Sequence, residues 1–119
     1  MKCHMNEVKR GDVWLVSLNP TIGHEINKTR PSIIVQNEYG NKNSPLTIIA
    51  PITSKHVDEL FPVEVFLPKN KFGLDMDSKV MLDQIRSLDK QRLIKKIGKA
   101  DEETILKIDE ALKISLGLK

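Results

Sequence analysis

Residues 46–52, Leu46-Thr47-Ile48-Ile49-Ala50-Pro51-Ile52, form a β-branched run that reads as a strand, with Pro51 marking an edge or a bulge within it. Upstream, Pro31 opens Ser32–Gln36, where Ile33, Ile34 and Val35 have the density of a buried strand. Further back, Gly11-Asp12 leads into Val13–Leu18, which contains Trp14 and stops at Asn19-Pro20. Asn37-Glu38-Tyr39-Gly40-Asn41-Lys42-Asn43 reads as a loop between the two runs. Downstream, Val63, Val65 and Leu67 alternate with Glu64 and Phe66, the period-two pattern of a strand with two unlike faces. Val80–Ile85 is a further apolar segment, Ser87–Leu93 reads as a short helical turn and Ile94–Ala100 as a last short strand. From Asp101 the pattern becomes helical. Asp101 is placed as an N-cap, Ile105, Ile108, Leu112 and Leu116 make one apolar stripe, and Gly117 suits the C-cap. Short strands separated by turns and closed by one helix predict a mainly β, α+β fold, a small β-barrel with helical additions.

The 119 residues suit a single domain, 1–119, with residues 1–7 as a loose extension and translation starting at Met1 or Met5. That length leaves no room for a cofactor-binding domain beside a separate substrate domain. The lone Cys3 excludes an intramolecular disulfide and a multi-cysteine zinc site, and with no apolar leader it suggests a reducing, cytoplasmic setting. No run approaches the roughly 18 apolar residues of a membrane span. With 19 Lys and Arg against 16 Asp and Glu, the net charge of +3 fits many partners, so the placement of the cations carries the information.

Two stretches hold chemistry-bearing groups. Thr21-Ile22-Gly23-His24-Glu25-Ile26-Asn27-Lys28-Thr29-Arg30-Pro31 is a polar loop running into a strand. Pro31 biases Arg30 towards an extended backbone, which suits the guanidinium to gripping a phosphate with Lys28 as a nearby charge. The plainer alternative is a surface arginine paired with Glu25 or Glu38. Pro51-Ile52-Thr53-Ser54-Lys55-His56 ends a strand in two hydroxyls and two potential cations, able to donate to phosphate but also an ordinary exit from a sheet. Metal chemistry finds little footing: His4, His24 and His56 are scattered, and Asp75-Met76-Asp77 lacks the rest of a calcium loop. No phosphate-binding glycine loop and no nucleophile elbow is present. No metal and no cofactor is expected.

These stretches resemble the MazF/PemK family of toxin endoribonucleases, most closely the MazF branch of Gram-positive-type bacteria. The resemblance is carried by Arg10-Gly11-Asp12-Val13-Trp14, Gly23-His24-Glu25 with Thr29-Arg30-Pro31, Pro51-Ile52-Thr53-Ser54, and the run Leu82-Asp83-Gln84-Ile85-Arg86-Ser87-Leu88-Asp89-Lys90-Gln91-Arg92-Leu93. It extends over the C-terminal helix, including Asp109-Glu110-Ala111-Leu112 and Ile114-Ser115-Leu116. The resemblance implies an SH3-like barrel of the MazF/PemK/CcdB type and a homodimer. It also implies metal-independent cleavage of single-stranded RNA at short motifs, and a MazE-like antitoxin whose acidic, flexible segment covers the RNA groove. By matching position, Arg30 and Thr53 are the catalytic pair, Glu25 is the loop carboxylate, Ser54 assists, and Gln84 and Arg86 help shape the RNA site near the dimer seam. The loop departs from the family at His24, Ile26, Asn27 and Lys28, which bears on sequence preference.

The implied chemistry uses the RNA's own 2′-OH as nucleophile, giving a 2′,3′-cyclic phosphate and a 5′-OH. Arg30 suits charge stabilisation, and Glu25, Arg30 or a minor contributor, His24, the proton transfers. The alternatives are a gyrase-binding toxin resembling CcdB, without nuclease activity, and a catalytically inactive RNA-binding barrel. With one Trp, one Tyr and three Phe, base recognition is expected to lean on hydrogen bonds and on cations such as Lys28, Lys55, Lys69 and Lys71 rather than on stacking. RNA affinity is therefore expected to fall steeply with salt, with a log–log slope of about −0.7 per phosphate neutralised on a single strand. A titration from low to physiological salt checks this; a flat response contradicts it.

Overall fold

The computed structural model describes residues 7–18 and 29–119. Among the described residues, seven strands form one antiparallel sheet: β1 (Asp12–Ser17), β2 (Thr29–Ile34), β3 (Leu46–Thr53), β4 (Glu64–Leu67), β5 (Ser78–Met81), β6 (Arg86–Asp89) and β7 (Leu93–Lys99). The main path runs β4-β5-β3-β2-β1-β7, and β6 pairs with β3 off that path. A short helix α1 (Glu38–Asn43) lies between β2 and β3, and α2 (Glu102–Leu116) closes the chain. The expected α+β arrangement, an antiparallel sheet with one C-terminal helix, is what the described residues form.

Pro51 is not at a sheet edge. Strand β3 pairs with β2 along one side, while on the other Leu46–Ile49 pair with β6 and Ile52–Thr53 pair with β5. Pro51 falls between the two, where the strand changes partner, so a residue without an N–H is tolerated in a central strand.

Alternation along β2 and β3 divides the core in two. Ile33, Ala50 and Ile52 join Val13, Val65, Leu67, Val80 and Leu82 beneath Ile108 and Ala111 of α2. Ile34 and Ile49 point the other way, into a cluster with Trp14, Val16, Leu88 and Leu93. Burial on both faces explains why these segments read as apolar runs rather than as alternations. Ile33, Ile34, Ile49 and Ile52 are all essentially inaccessible, each burial contributing roughly 1.5–3 kcal/mol.

Two local expectations change. Residues 37–43 hold α1 rather than an irregular loop: the Asn37 side chain accepts the Gly40 N–H, and buried Asn41 donates to the Gln36 carbonyl and accepts from Thr47. A cap and one buried amide outweigh the poor helix propensity of glycine and asparagine. In 86–93 the helical turn is confined to Lys90–Arg92, because Arg86–Asp89 find a partner in β3. The α2 caps are as expected, with Asp101 accepting from Thr104 and Gly117 left-handed. Its buried face is centred on Ile108 and Ala111, however, and Leu116 is exposed.

No strand pairing joins β4 to β7 in the path; the β4–β5 loop packs against β7 instead. A Cβ on Gly73 would lie 1.9 Å from the Ile97 carbonyl oxygen, and one on Gly98 would lie 2.1 Å from that of Phe72. Gly73 also has φ +83. Gly73→Ala or Gly98→Ala is expected to cost about 2–3 kcal/mol in urea unfolding. Gly117→Ala, at φ +71 with nothing within 4 Å, should cost only the left-handed penalty of about 1 kcal/mol.

Candidate functional site

Strands β2 and β3 pair with Ser32 opposite Pro51, Ile33 opposite Ala50 and Ile34 opposite Ile49. The paired stretch ends there, and the same alternation carried on to the strand ends brings Arg30 and Thr53 to one face at the neighbouring ends of β2 and β3. Directly opposite residues share a face, and by alternation it is the face of Ile34 and Ile49, away from α2. Arg86 lies opposite Ile49 across the β3–β6 pair, so it belongs to the same face and is exposed.

Arg30 and Thr53 are each half-buried. Arg30 pairs across β1 with Val16, and its guanidinium has no carboxylate partner among the described residues. The Glu38 alternative fails, because that carboxylate accepts from the Arg10 N–H and the Asn41 amide. Thr53 Oγ1 accepts the Lys55 N–H at 3.2 Å, which orients the hydroxyl and leaves its own proton to be donated outward. Ser54 and Lys55 follow it, exposed.

The strand ends nearest this pair are those of β1 (Ser17), β3 (Thr53) and β4 (Leu67) and the starts of β2 (Thr29) and β5 (Ser78). Lys55 and Lys69 emerge at this rim, where the Lys69 N–H is tied to Asp77 Oδ1 at 2.9 Å. Gln84 sits in the turn between β5 and β6, not on a strand, and its amide reaches Met81 Sδ at 3.5 Å. Glu25, His24 and Lys28 lie outside the described residues. Among the described residues no group of His, Cys, Asp and Glu could hold a metal ion.

Residues 9–116 match the family of PemK-like, MazF-like toxins of type II toxin-antitoxin systems. The chain belongs to this family. It is 44% identical over 111 residues to the endoribonuclease EndoA of Bacillus subtilis (strain 168), spanning 93% of this chain and 96% of that protein. An endoribonuclease from a mycobacterial species superposes with a TM-score of 0.78 at 25% identity, over 96% of this chain and 95% of the other. A MazE-MazF structure from Deinococcus radiodurans (Form-II) superposes with a TM-score of 0.79, again at 25% identity, over 95% and 98%. The antitoxin in that structure belongs to the neighbour.

In this member of the toxin family, one feature of the site gave no sequence signal. Lys79 lies opposite Thr53 on β5 and opposite Phe66 on β4. Its ammonium is buried, 2.9 Å from Glu64 Oε1 and 3.1 Å from the Glu59 carbonyl. Nothing in Ser78-Lys79-Val80 marks the lysine as buried; Glu59 and Glu64, which its ammonium meets across the 59–64 turn, do. Burial tends to raise the Glu64 carboxyl, but the Phe61 N–H, the Lys79 hydrogen bond and the Lys79 charge outweigh it and hold Glu64 below its ordinary 4.5.

A depressed carboxylate adds stability above its unfolded value and loses it as pH falls through the folded one. Wild-type stability is thus expected to drop from pH 4.5 downward, more steeply than that of Glu64→Gln. At pH 7 Glu64→Gln should be about 1–3 kcal/mol less stable, since it leaves a buried ammonium without its counter-charge. Urea midpoints across pH measure both.

Proposed function

We propose that this chain is a toxin that cleaves single-stranded RNA in the cytoplasm, using Arg30 and Thr53 as its phosphate-directed pair. The observation that supports this reading is the β2–β3 register, whose alternation continued to the strand ends brings Arg30, without a carboxylate partner among the described residues, to the same face as the Thr53 hydroxyl. Kinship to a family of toxins and the endoribonuclease name of the Bacillus relative support the choice of substrate.

RNA supplies the nucleophile. The ribose 2′-OH, brought into line with the adjacent phosphorus, attacks and expels the 5′-oxygen, leaving a 2′,3′-cyclic phosphate and a 5′-OH. The protein has to hold that geometry, accept one proton, return another and stabilise charge on the phosphoryl oxygens. Arg30 answers the charge, and a guanidinium pKa above about 12 makes it a poor proton carrier. Thr53 donates to a non-bridging oxygen, with Ser54 beside it. Glu25 is the general base and His24 a minor contributor. Lys28, Lys55, Lys69, Gln84 and Arg86 hold the strand. A charge-stabilising arginine and an internal nucleophile leave no step that needs a metal.

Two copies form the working unit, and the natural inhibitor is a MazE-like antitoxin. Its acidic, flexible segment would meet the same cations as the RNA backbone.

The decisive measurement is cleavage of single-stranded RNA in EDTA. Arg30→Ala and Thr53→Val are each expected to lower kcat about 100- to 1,000-fold while leaving the unfolding midpoint near wild type. A 2′-deoxy nucleotide at the cut site should abolish cleavage. Intact RNA across varied sequences, with gyrase inhibited instead, would overturn the proposal.

A further inference from the structure

Thr53 is joined to β4 by a segment that ends in an unusual arrangement. Phe61 is 63% exposed, yet its backbone is held at both polar atoms. Its N–H donates to Glu64 Oε1 at 3.0 Å, and its carbonyl accepts the Glu64 N–H at 2.9 Å. Lys79 completes the clamp by binding Glu64 and the Glu59 carbonyl together, and its ammonium lies 6.0 Å from the centroid of the Phe61 ring. The Lys79 and Glu64 side chains are only 6% and 8% exposed. Burying a lysine and a glutamate is costly and seldom adds stability over an apolar pair of the same size. What the pair does here is hold the Phe61 backbone in place and set an ammonium near its exposed ring.

The position of that ring follows from the register. Phe66, Lys79 and Thr53 lie in one row across β4, β5 and β3, on one face. The Lys79 ammonium therefore links the ring to the row that contains Thr53. Thr53 and Phe66 are two strand spacings apart, about 10 Å. A phosphate held by Arg30 and Thr53 would leave the base of a neighbouring nucleotide over this part of the face.

We propose that Phe61, clamped by the Lys79–Glu64 pair, is a stacking platform for the base of one nucleotide flanking the cleaved bond. The inference rests on the ribonuclease reading above and adds to it a base-binding position. It also revises the expectation that so few aromatics would leave recognition to hydrogen bonds and cations: one exposed ring with a clamped backbone, near the row that contains Thr53, suffices for one base. Stacking on an aromatic side chain is strong and tolerant of base identity, so Phe61 sets the position of the strand, with a preference for the larger purine surface.

The test uses a short oligoribonucleotide that the wild type cuts, a copy with 2′-deoxyribose at the cut site for binding, and abasic versions at each flanking position. Phe61→Ala should raise KM and the Kd for the uncut copy about 5- to 100-fold, with little change in kcat. Phe61→Trp should restore binding, and Phe61→Leu, which keeps an apolar side chain, should not. At one flanking position the abasic substitution should weaken wild type and leave Phe61→Ala unaffected. An equal penalty at every abasic position, or none from Phe61→Ala, overturns the platform while leaving the nuclease reading intact. Normal RNA handling combined with lost antitoxin binding assigns the ring to a protein partner and also overturns it. A wild-type chain that neither cuts nor binds RNA overturns both.

Discussion

The pairing of β2 with β3, Ser32 opposite Pro51, is the constraint on which the rest of the molecule depends. Because side chains alternate along a strand, a slip of one residue would send Ile33 and Ala50 to the wrong core and turn Arg30 away from Thr53. Burial on both faces prevents that slip: Ile33, Ile34, Ile49 and Ala50 are all below a few per cent exposed, and either wrong register would expose some of them. The force that holds the core thus also aligns the candidate site, with no dedicated contact between its two residues.

Around this pair the chain closes by polar and steric means. Arg10 reaches the Val35 carbonyl through Nε, Asp109 of α2 through its guanidinium and Glu38 of α1 through its backbone N–H. One residue thereby ties the end of β2 to both helices, at the opposite end of β2 from Arg30. Gly73 and Gly98 allow two backbones to approach where a side chain on either would collide. Closure by glycine contact leaves β4 at the edge of the sheet, with Phe66 exposed beside it. The Lys79–Glu64 pair is the third device, and its yield lies in the orientation of the 59–64 turn rather than in net stability.

Much of the fold was legible locally. The apolar runs of β1, β2 and β3, the alternation in β4 and the two caps of α2 all depend on residues close together in sequence. Misreadings came where a distant partner decided the outcome. Asn41 and Asn43 look like loop residues until the Thr47 hydroxyl donates to the buried Asn41 side-chain carbonyl. Ser87 to Asp89 read as part of a short helical turn until β3 offers its free edge. Pro51 looks like an edge residue because nothing nearby shows that the strand exchanges one partner for another around it.

The amino-acid order by itself determined the class of chain, an antiparallel sheet with one capped helix, and the motifs that single out Arg30 and Thr53. These are local quantities: backbone preference, periodicity and the spacing of reactive groups. Only the tertiary structure decided that Arg30 and Thr53 lie on neighbouring strand ends, that Lys79 is buried against Glu64, and that Phe61 stands exposed near the Lys79 ammonium. Each of these depends on strand register, which is set by the joint burial of residues far apart along the chain. No stretch of sequence contains that information until the strands have met.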